Sequence, residues 1–371
     1  MDNPSCIARK LDSEPMSPLK AKSNHVTIVD VATTSGFSPS TVSIVLNEAP
    51  LSRYVAAKTK ERIRKAAKDL GYRPDAFARS LRNRRSHTVG VLIFDISDPF
   101  CTLILQGIER CLDSTAYLPI IMDAHNEKKQ FEGYLEMLME RRVEGLIVVA
   151  NWLFEEGGLL LNLRRNNLPT VVVGRDLSTD LISSVVVDNV AGGYTAMEHL
   201  YSLGHRKIAV IRGPEKLGDS NLRWQGIQQF AAEHNYQLDP RRVRLLPEAL
   251  DPTSGFEGGV AATEDLLRSA ADFTALLAFD DLTALGAIRA LILSGRSVPG
   301  DCSVIGFDDV PPAAFCTPGL TTIRQPMEEM GRIATGWVLR AVQGPDTEDA
   351  ILPPMQILSP QLLIRESTSR V

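Results

Sequence analysis

Between residues 38 and 47 the chain has a run of small side chains that can form hydrogen bonds, and no acid interrupts it. If the segment is helical, Val42, Val45 and Leu46 fall on one side and face inward. The opposite side then holds Ser40, Thr41, Ser43, Ile44 and Asn47. Hydroxyl and amide groups of this size fit into the major groove of DNA and can bond phosphates and base edges. The residue types therefore indicate a helix that lies against a duplex.

A helix that lies in a DNA groove needs a second helix packed behind it, and residues 27–35 carry the sequence signals of such a helix. Thr27 can cap it, and Asp30 can bond back toward the cap. Its apolar residues at helical spacing are Ile28, Val31 and Ala32. Gly36 tolerates a positive φ where the chain reverses, and Ser38 then caps the second helix with Pro39 at its first position. A helix-turn-helix is predicted, and an ordinary helical hairpin without a DNA role is the alternative.

Residues 56–72 predict a third helix that ends at Gly71. Four of its residues can pack on the first two helices: Ile63, Ala66, Ala67 and Leu70. Its cations face outward: Lys58, Lys60, Arg62, Arg64, Lys65 and Lys68. A short helix beginning at Pro74 follows, with Ala78 and Leu81 on one side, and it is too short to be stable alone. Apolar Leu81 among arginines suits a minor-groove wedge, with a plain linker as the alternative.

Charge is distributed unevenly along the chain. From Lys20 to Arg85 there are 14 Lys and Arg against 5 Asp and Glu, whereas from Ser86 to Val371 there are 24 against 37. A basic headpiece on an acidic body indicates a module that neutralises phosphates, joined to one with another task. Residues 1–24, rich in Ser, Pro and Lys and without an apolar stretch, predict a disordered leader and no secretory signal.

From Thr88 onward, short apolar strands alternate with amphipathic helices in two series. Strands are predicted at 88–94, 118–123, 144–150, 169–174 and 183–188, and then at 207–213, 274–280, 302–308 and 320–325. Helices are predicted at 99–115, 127–141, 190–203, 222–235, 255–270 and 282–294. The pattern predicts an α/β protein with two parallel sheets, covered on both faces, in two similar lobes. A cleft between lobes collects the carboxyl ends of strands, where ligands bind.

Several functions find no support in the residues. The five cysteines show no metal-type spacing, which suits reduced thiols in a cytoplasm, and neither a metal nor a cofactor is expected. Motifs such as GxSxG and HExxH are lacking, and a phosphate-binding loop at 213–220 would need a lysine where Asp219 stands. No apolar run of about 18 residues predicts a membrane span. The chain is expected not to be an enzyme, although a triad assembled in space stays open.

Six motifs, in order, resemble the lactose/galactose repressor family of bacterial transcription regulators, with a core most similar to the purine and ribose-type repressors. They are VTIVDVATTSGFSPSTVSIVLN, KTKERIRKAAKDLGYRPDAFARSL, VDNVAGGYTAMEHLYSLGHRKIAVIRGP, FDDLTALGAIRAL, VPGDCSVIGFDDVPPAAFCTPGLTTIRQP and LLIRES. The resemblance implies a helix-turn-helix domain at 25–72, a hinge at 73–86 and a periplasmic-binding-protein-like core at 87–371. The implied N-lobe comprises about 87–187 and 323–350, and the implied C-lobe about 188–319 and 353–371.

The resemblance also implies a function. A homodimer would bind a near-palindromic operator in double-stranded DNA and act as a cytoplasmic repressor. A sugar, sugar derivative or nucleobase in the cleft would change operator affinity. No leucine-heptad tail follows residue 326, which favours a dimer over a tetramer. A solute-binding protein with the same core and no DNA role is the alternative; it would need an export signal and would lack the basic headpiece.

Matched to the family motifs, the implied recognition and phosphate positions are Ser38, Ser40, Thr41, Ser43 and Asn47, with Leu81 as minor-groove lever beside Ala78. Thr27, Pro39, Ile44 and Lys58 complete the predicted DNA-binding set. Ile44 stands where the family often has a long polar side chain, which favours contact with a thymine methyl.

For the cleft, the resemblance implies seven effector residues: Phe100, Cys101, Arg175, Asp219, Ser220, Arg223 and Asp308. Phe100 offers a face for a ring, Arg223 can fork onto an oxygen pair, and Asp308 can accept from two hydroxyls. Arg175 stands where some relatives have an acid, which favours an anionic ligand or a paired internal carboxylate. The alternative for each residue is a core aromatic or an internal ion pair.

Overall fold

The computed structural model describes residues 26–73, 85–149, 168–178, 182–247, 254–269, 272–344 and 353–371. The chain divides between Arg84 and Arg85 into two compact units. The predicted leader, Ala78 and Leu81 lie outside the described residues.

The first unit contains three α-helices among its described residues: α1 (Ile28–Ser35), α2 (Pro39–Leu46) and α3 (Ala57–Asp69). A 3-10 turn at Pro50–Tyr54 joins the last two. Their common core consists of Val31, Ala32, Val42, Val45, Ile63, Ala66 and Ala67. Three of the seven core residues are alanines, so the helix axes can approach closely. The tri-helical unit thus forms on the residues predicted to face inward.

The strands described in the second unit are β1 (Thr88–Ile93), β2 (Leu118–Asp123), β3 (Gly145–Val149), β4 (Thr170–Val173), β5 (Ile182–Val187), β6 (Ile208–Arg212), β7 (Val243–Leu245), β8 (Ala275–Ala278), β9 (Ser303–Asp308), β10 (Thr321–Arg324), β11 (Met355–Leu358) and β12 (Gln361–Leu363). The helices described are α4 (Pro99–Leu112), α5 (Lys128–Glu140), α6 (Asn189–Ser202), α7 (Gly218–Glu233), α8 (Ser254–Arg268), α9 (Asp281–Leu293), α10 (Pro311–Phe315) and α11 (Met327–Gln343). None of the described helices is long and apolar enough to cross a membrane.

These strands form two six-stranded sheets; the alternating pattern predicted two sheets, with five and four of these strands. The first has the order β11-β5-β4-β3-β1-β2, and the second has the order β12-β10-β9-β8-β6-β7. Every pairing in the first sheet is parallel; in the second, only β12 runs antiparallel to its neighbour. Val91 of β1 lies opposite Ile121 of β2 and Ile147 of β3. The fold is α/β with two parallel-dominated lobes.

The chain passes between the sheets at three places: after β5, after β10 and between β11 and β12. This topology corrects the lobe boundaries expected from sequence. Residues 355–358 fall in the expected C-lobe, but β11 pairs with β5 in the first sheet. Residues 323 and 324 fall in the expected N-lobe, but β10 pairs with β9 in the second.

Candidate functional sites

Local hydrogen bonds fix the recognition helix α2. Gly36 has φ of 76°, and its N–H donates to the carbonyl of Ala32 to end α1. The Ser38 hydroxyl then accepts from the Thr41 amide at 3.2 Å, so Ser38 caps α2 as predicted. Pro39 occupies the first helical position, where no N–H is needed. The turn between α1 and α2 is therefore set by residues within the motif itself.

The outward side of α2 is small and polar. Ser40 is exposed, whereas Thr41, Ser43, Ile44 and Asn47 are half-buried. Asn47 Nδ2 donates to the carbonyl oxygen of Ser43 at 2.9 Å and to its hydroxyl at 3.2 Å. Ser38 and Thr41 share a hydrogen bond between their hydroxyls at 2.9 Å. These side chains are thus ordered before any partner arrives, although Asn47 donates two hydrogen bonds internally.

Thr27 and Asp30 form the predicted capping box on α1. The Thr27 amide and hydroxyl both donate to Asp30 Oδ2 at 2.7 Å, and the Asp30 amide donates to the Thr27 hydroxyl at 3.4 Å. The bond from the Thr27 amide lowers the pKa of Asp30. Thr27 therefore has a structural role whether or not it also meets DNA.

Helix α3 has cations that remain available to phosphates. Lys58 and Arg62 are exposed. Within residues 26–73 a single ion pair is present, between Arg64 and Glu48 at 3.2 Å. An exposed pair of this kind contributes little and is screened by salt. The basic character of the unit is thus uncompensated, as the charge distribution predicted.

In the second unit, Arg223 is the centre of a buried network. Its side chain projects from α7 and the residue is 7% exposed. Its guanidinium carbon lies 3.7 Å from the centre of the Phe307 ring and 4.7 Å from that of Phe279. Nε donates to Asn189 Oδ1 at 2.8 Å, and Nη1 donates to the Phe279 carbonyl at 2.6 Å. The charge is thereby held rigidly by rings and acceptors.

Asp308, at the carboxyl end of β9, faces this guanidinium. Its Oδ1 lies 3.5 Å from Arg223 Nη2 and accepts from Gln325 Nε2 at 2.6 Å. Burial raises the pKa of Asp308 well above its usual value; the charge of Arg223 opposes that shift, and nearby Asp281 adds to it. Arg223 and Asp308 thus form a long contact, and Asp308 makes its short hydrogen bond to Gln325.

The backbone at this strand end is unusual. Asp308 and Asp309 have φ of 117° and 63°, a region that non-glycine residues adopt at a cost of about 1–3 kcal/mol each. Asp309 is held by Arg324 at 2.7 Å and by Arg365 at 2.5 Å. Two arginines from β10 and from the segment after β12 therefore fix the strained turn that presents Asp308.

Asn189 and Gln325, which the sequence did not single out, connect the Arg223–Asp308 pair to the segments where the chain passes from one lobe to the other. Asn189 begins α6 directly after the first crossing, and Gln325 lies in the second. Neither stands out in a local pattern, because each acts through a partner more than 15 positions away. The motif VDN after a buried strand was the only available signal for Asn189.

Close helix packing positions Arg223. A Cβ at Gly193 of α6 would lie 2.1 Å from the Arg223 carbonyl oxygen, and one at Gly226 of α7 would lie 2.0 Å from that of Val190. Glycine is required at both places, because any side chain would separate the two helices.

The remaining predicted effector residues divide into two groups. Asp219 and Arg175 are half-buried; burial raises the pKa of Asp219, while Arg223 and Arg175 oppose the shift. In contrast, Ser220 is buried and its hydroxyl donates to the Gly213 carbonyl at 2.8 Å. Phe100 and Cys101 lie in the core of the first lobe. These last three residues are at least as buried as Arg223, and their part in effector binding stays a prediction.

Arg85 differs from its expected role as part of the basic hinge. Its Nε pairs with Glu144 Oε2 at 2.7 Å, and its guanidinium also donates to the Tyr117 hydroxyl. Glu144 in turn accepts from the His87 amide at 2.7 Å. The hydrogen bonds and the positive charge lower the pKa of Glu144 even though burial raises it. Arg85 thus anchors the start of the second unit.

Comparison with known proteins identifies the families to which the two units are similar. Residues 27–75 match the model of bacterial regulatory proteins of the lacI family, and residues 197–368 match that of a periplasmic binding protein-like domain. The HTH-type transcriptional repressor CytR of Escherichia coli K12 is 31% identical over 353 residues, which cover 94% of this chain and 99% of that protein.

The chain belongs to the LacI family.

Other LacI-family members extend this assignment. PurR of Haemophilus influenzae PittEE is 33% identical, covering 93% of this chain and 99% of that protein. The lac repressor dimer bound to operator and the anti-inducer ONPF superimposes with a TM-score of 0.79 at 27% identity, over 93% of this chain and 99% of that one. A LacI family regulator from Enterococcus faecium with bound ribose superimposes with a TM-score of 0.65 at 31% identity. The match covers 76% of this chain and 99% of that one.

The chain is accordingly a DNA-binding transcriptional repressor with an effector-binding core. A solute-binding protein without a DNA role, the alternative from sequence, is not favoured, because the headpiece matches the family model as well.

Proposed function

We propose that this repressor binds an uncharged, hydroxyl-rich effector, a sugar or a nucleoside, between Arg223 and Asp308, and that the effector controls operator affinity. The observation that carries the proposal is the buried pair itself. A cation and a carboxylate 3.5 Å apart can both contact a small polar ligand. A hydroxyl accepts from the guanidinium and donates to the carboxylate at the same time.

The contacts of Arg223 limit what can bind. Both faces of its guanidinium lie near aromatic rings, and two of its three nitrogens already donate to Asn189 and Phe279. A ligand is therefore met by in-plane N–H groups beside Asp308. The edge of the guanidinium that carries these N–H groups can bond two neighbouring hydroxyls, whereas its faces, which already lie near Phe279 and Phe307, leave no place for a stacked ring of the ligand.

Charge balance supports an uncharged effector over an anionic one. The positive charge of Arg175, left open by the sequence, acts on Asp219 and lowers its pKa against the effect of burial. Since Arg175 already acts on an internal carboxyl, its charge does not by itself call for an anionic effector. The ribose-bound relative gives independent support for a sugar.

On the DNA side, we propose contacts from Ser38, Pro39, Ser40, Thr41 and Ser43 of α2, with Ile44 and Asn47 near the groove floor and Thr27 and Lys58 at phosphates. The hinge residues Ala78 and Leu81 are proposed for the minor groove. Two copies would occupy a near-palindromic operator, as in the lac repressor dimer. We further propose that the protein has no enzymatic activity and acts in the cytoplasm, where its operator is.

The test is a thermal-shift screen of the full chain against sugars, nucleosides, nucleobases and sugar phosphates, because a ligand that binds the native state raises the Tm. A hydroxyl-rich, uncharged compound should raise the Tm of the wild type and of the control Asp272→Asn, an exposed site. It should not raise the Tm of Asp308→Asn. A response limited to sugar phosphates, or one that survives in Asp308→Asn, would contradict the proposal.

A further inference from the structure

Three strands of the first sheet begin side by side, and the residue before each of them belongs to one cluster. Tyr117 precedes β2, His87 precedes β1 and Glu144 precedes β3. Arg85, the first residue of the second unit, completes the cluster. These four residues are here called the anchor. Because the three strands are parallel, the anchor lies at their amino ends, opposite the carboxyl ends where ligands bind in sheets of this kind.

The Glu144 carboxylate is the centre of the anchor. Its side chain is 11% exposed, and its two oxygens accept three hydrogen bonds. Oε2 accepts from Arg85 Nε at 2.7 Å and from the Tyr117 hydroxyl at 2.9 Å, and Oε1 accepts from the His87 amide at 2.7 Å. The Arg85 guanidinium also donates to the Tyr117 hydroxyl. Two of the three donors on Glu144 thus come from residues 85–87, where the core begins.

His87 has a backbone conformation that its surroundings impose. Its φ is 51°, a region that is uncommon for residues with a side chain. The amide is held by Glu144, the carbonyl accepts from the Leu118 amide at 2.9 Å, and the ring lies edge-on to that of Tyr117 with 5.3 Å between centres. An unfavourable conformation persists only where several contacts enforce it. Residues 85–87 therefore follow one fixed path into β1.

The anchor is close along the chain to the residue proposed for the minor groove. Leu81 precedes Arg85 by four positions, and an extended chain spans at most about 3.5 Å per residue, so Leu81 must lie within about 14 Å of Arg85. Without the anchor, the first residue fixed by sheet pairing would be Thr88, seven positions after Leu81, and the reach would grow to about 25 Å. The anchor therefore restricts the positions that Leu81 can occupy.

We propose that Glu144 is a positioning residue for operator binding: it holds Arg85 and thereby fixes the end of the hinge from which Leu81 reaches the minor groove. The inference rests on the minor-groove contact proposed for Leu81. Glu144 itself adds nothing to the attraction of phosphates, because its charge is negative. Its contribution to operator affinity must therefore come through the residues that it holds.

The expected size of the effect follows from the length of the tether. Lengthening it from four to seven residues dilutes Leu81 at its binding site by a factor of about two for a random coil and about five for a fully extended chain. Because two copies bind one operator, loss of both anchors should weaken specific binding by about five- to thirtyfold.

The test is a double-mutant cycle on the full chain. The specific probe is the duplex that the wild type enriches from random DNA, and the non-specific probe is a random duplex of equal length. Glu144→Ala should weaken binding to the specific probe at least about fivefold, without weakening binding to the non-specific one. In a Leu81→Ala background the same change should cost less than about twofold, because the anchor then has no apolar wedge to position. Glu136→Ala removes an exposed acid and changes the net charge equally, and both affinities should stay within about twofold of the wild type.

Three results would overturn the inference: specific binding by Glu144→Ala within about twofold of the wild type, an equal loss on both probes, or an undiminished loss in the Leu81→Ala background. If Glu144→Ala does not fold, Glu144→Gln decides, because it keeps the shape of the side chain but presents an amide N–H to one of the donors. It should weaken specific binding at least about twofold, and wild-type affinity would overturn the inference. A wild type that enriches no duplex would overturn the proposed function together with this inference, whereas the three results above overturn the inference alone.

Discussion

The recognition helix and the Arg223–Asp308 pair are polar sites built in opposite ways. The outward side chains of α2 are small, uncharged and at least partly exposed, and residues within the same motif order them. The pair consists of a buried arginine and a half-buried carboxyl that residues from three distant parts of the chain, Asn189, Phe279 and Gln325, hold in place. A surface that binds a large polyanion can rely on many weak contacts. A site that binds a small molecule relies on a few strong contacts, whose polar groups are already desolvated in the folded protein.

The largest effect expected from this contrast is the loss of one buried charge. Arg223→Met leaves Asp308 without its cation, and breaking a buried pair typically costs about 3–5 kcal/mol of unfolding free energy. Urea unfolding of the full chain measures it. The control is Arg268→Met, whose side chain is 67% exposed and should cost at most about 0.5 kcal/mol. Equal losses in the two variants would mean that Arg223 is not the buried centre described.

A smaller effect is expected from widening the helix pair that positions Arg223. In Gly226→Ala the new Cβ would lie 2.0 Å from the Val190 carbonyl oxygen, so α6 and α7 must separate at a cost of about 1–3 kcal/mol. Gly133→Ala in α5 meets nothing within 4 Å and should stabilise by about 0.5–1 kcal/mol. The Tm values of the two variants measure this difference. A higher Tm in Gly226→Ala than in the wild type would refute the close approach of α6 and α7.

Buried carboxyls near the pair predict a pH dependence that the recognition helix lacks. Asp281 is fully buried, which raises its pKa to about 8, aided by Asp280 and Asp309 and opposed by bonds from Thr322 and Val310. A raised acid pKa means that the folded state binds more protons, so stability should decline as the pH rises from about 5 to 8. Asp281→Asn should show a flatter profile over this range in urea titrations. If the wild type and Asp281→Asn lose stability in parallel as the pH rises, the Asp281 carboxyl does not hold a proton in the folded state.

The smallest effects belong to α2. Ser38→Ala removes the cap and should cost about 1 kcal/mol of headpiece stability. Ser40→Ala removes an exposed hydroxyl and should change stability by less than about 0.5 kcal/mol while weakening operator binding. Hydrogen exchange of α2 and fluorescence anisotropy with operator DNA separate the two effects. Operator affinity unchanged in Ser40→Ala would remove that residue from the DNA surface.

The same contrast explains how far the sequence could be read. The capping box, the glycine turn and the inward face of α2 are local signals, and the structure confirms them. The alternating buried strands of both sheets were also predicted, within one or two residues at each end. The edge strand β2 is among those predicted, whereas the edge strands β7, β11 and β12 are not: β11, for example, alternates exposed and half-buried residues and has no continuous apolar run. Helix α11 was not assigned, although Met327, Met330, Ala334 and Trp337 recur at helical spacing.

The effector site was only partly predictable, because its partners come together through tertiary packing. Arg223 and Asp308 were identified from their motifs, but Asn189 and Gln325, which hold them, were not. Sequence also cannot separate a buried packing residue from a ligand contact at Phe100, Cys101 or Ser220, since both roles use the same residue types. Burial alone does not separate the two roles either, because Arg223 and Phe100 are 7% and 6% exposed.

The central claim is that the basic headpiece recognises a specific duplex on behalf of the two-lobed core. Selection of binding sites from random double-stranded DNA, at several salt concentrations, tests it most directly when the full chain is compared with residues 85–371 alone. We predict that the full chain enriches a near-palindromic sequence and that the core alone enriches none. Enrichment by the isolated core, or an absence of any enriched sequence with the full chain, with and without the compounds of the thermal screen, would contradict it.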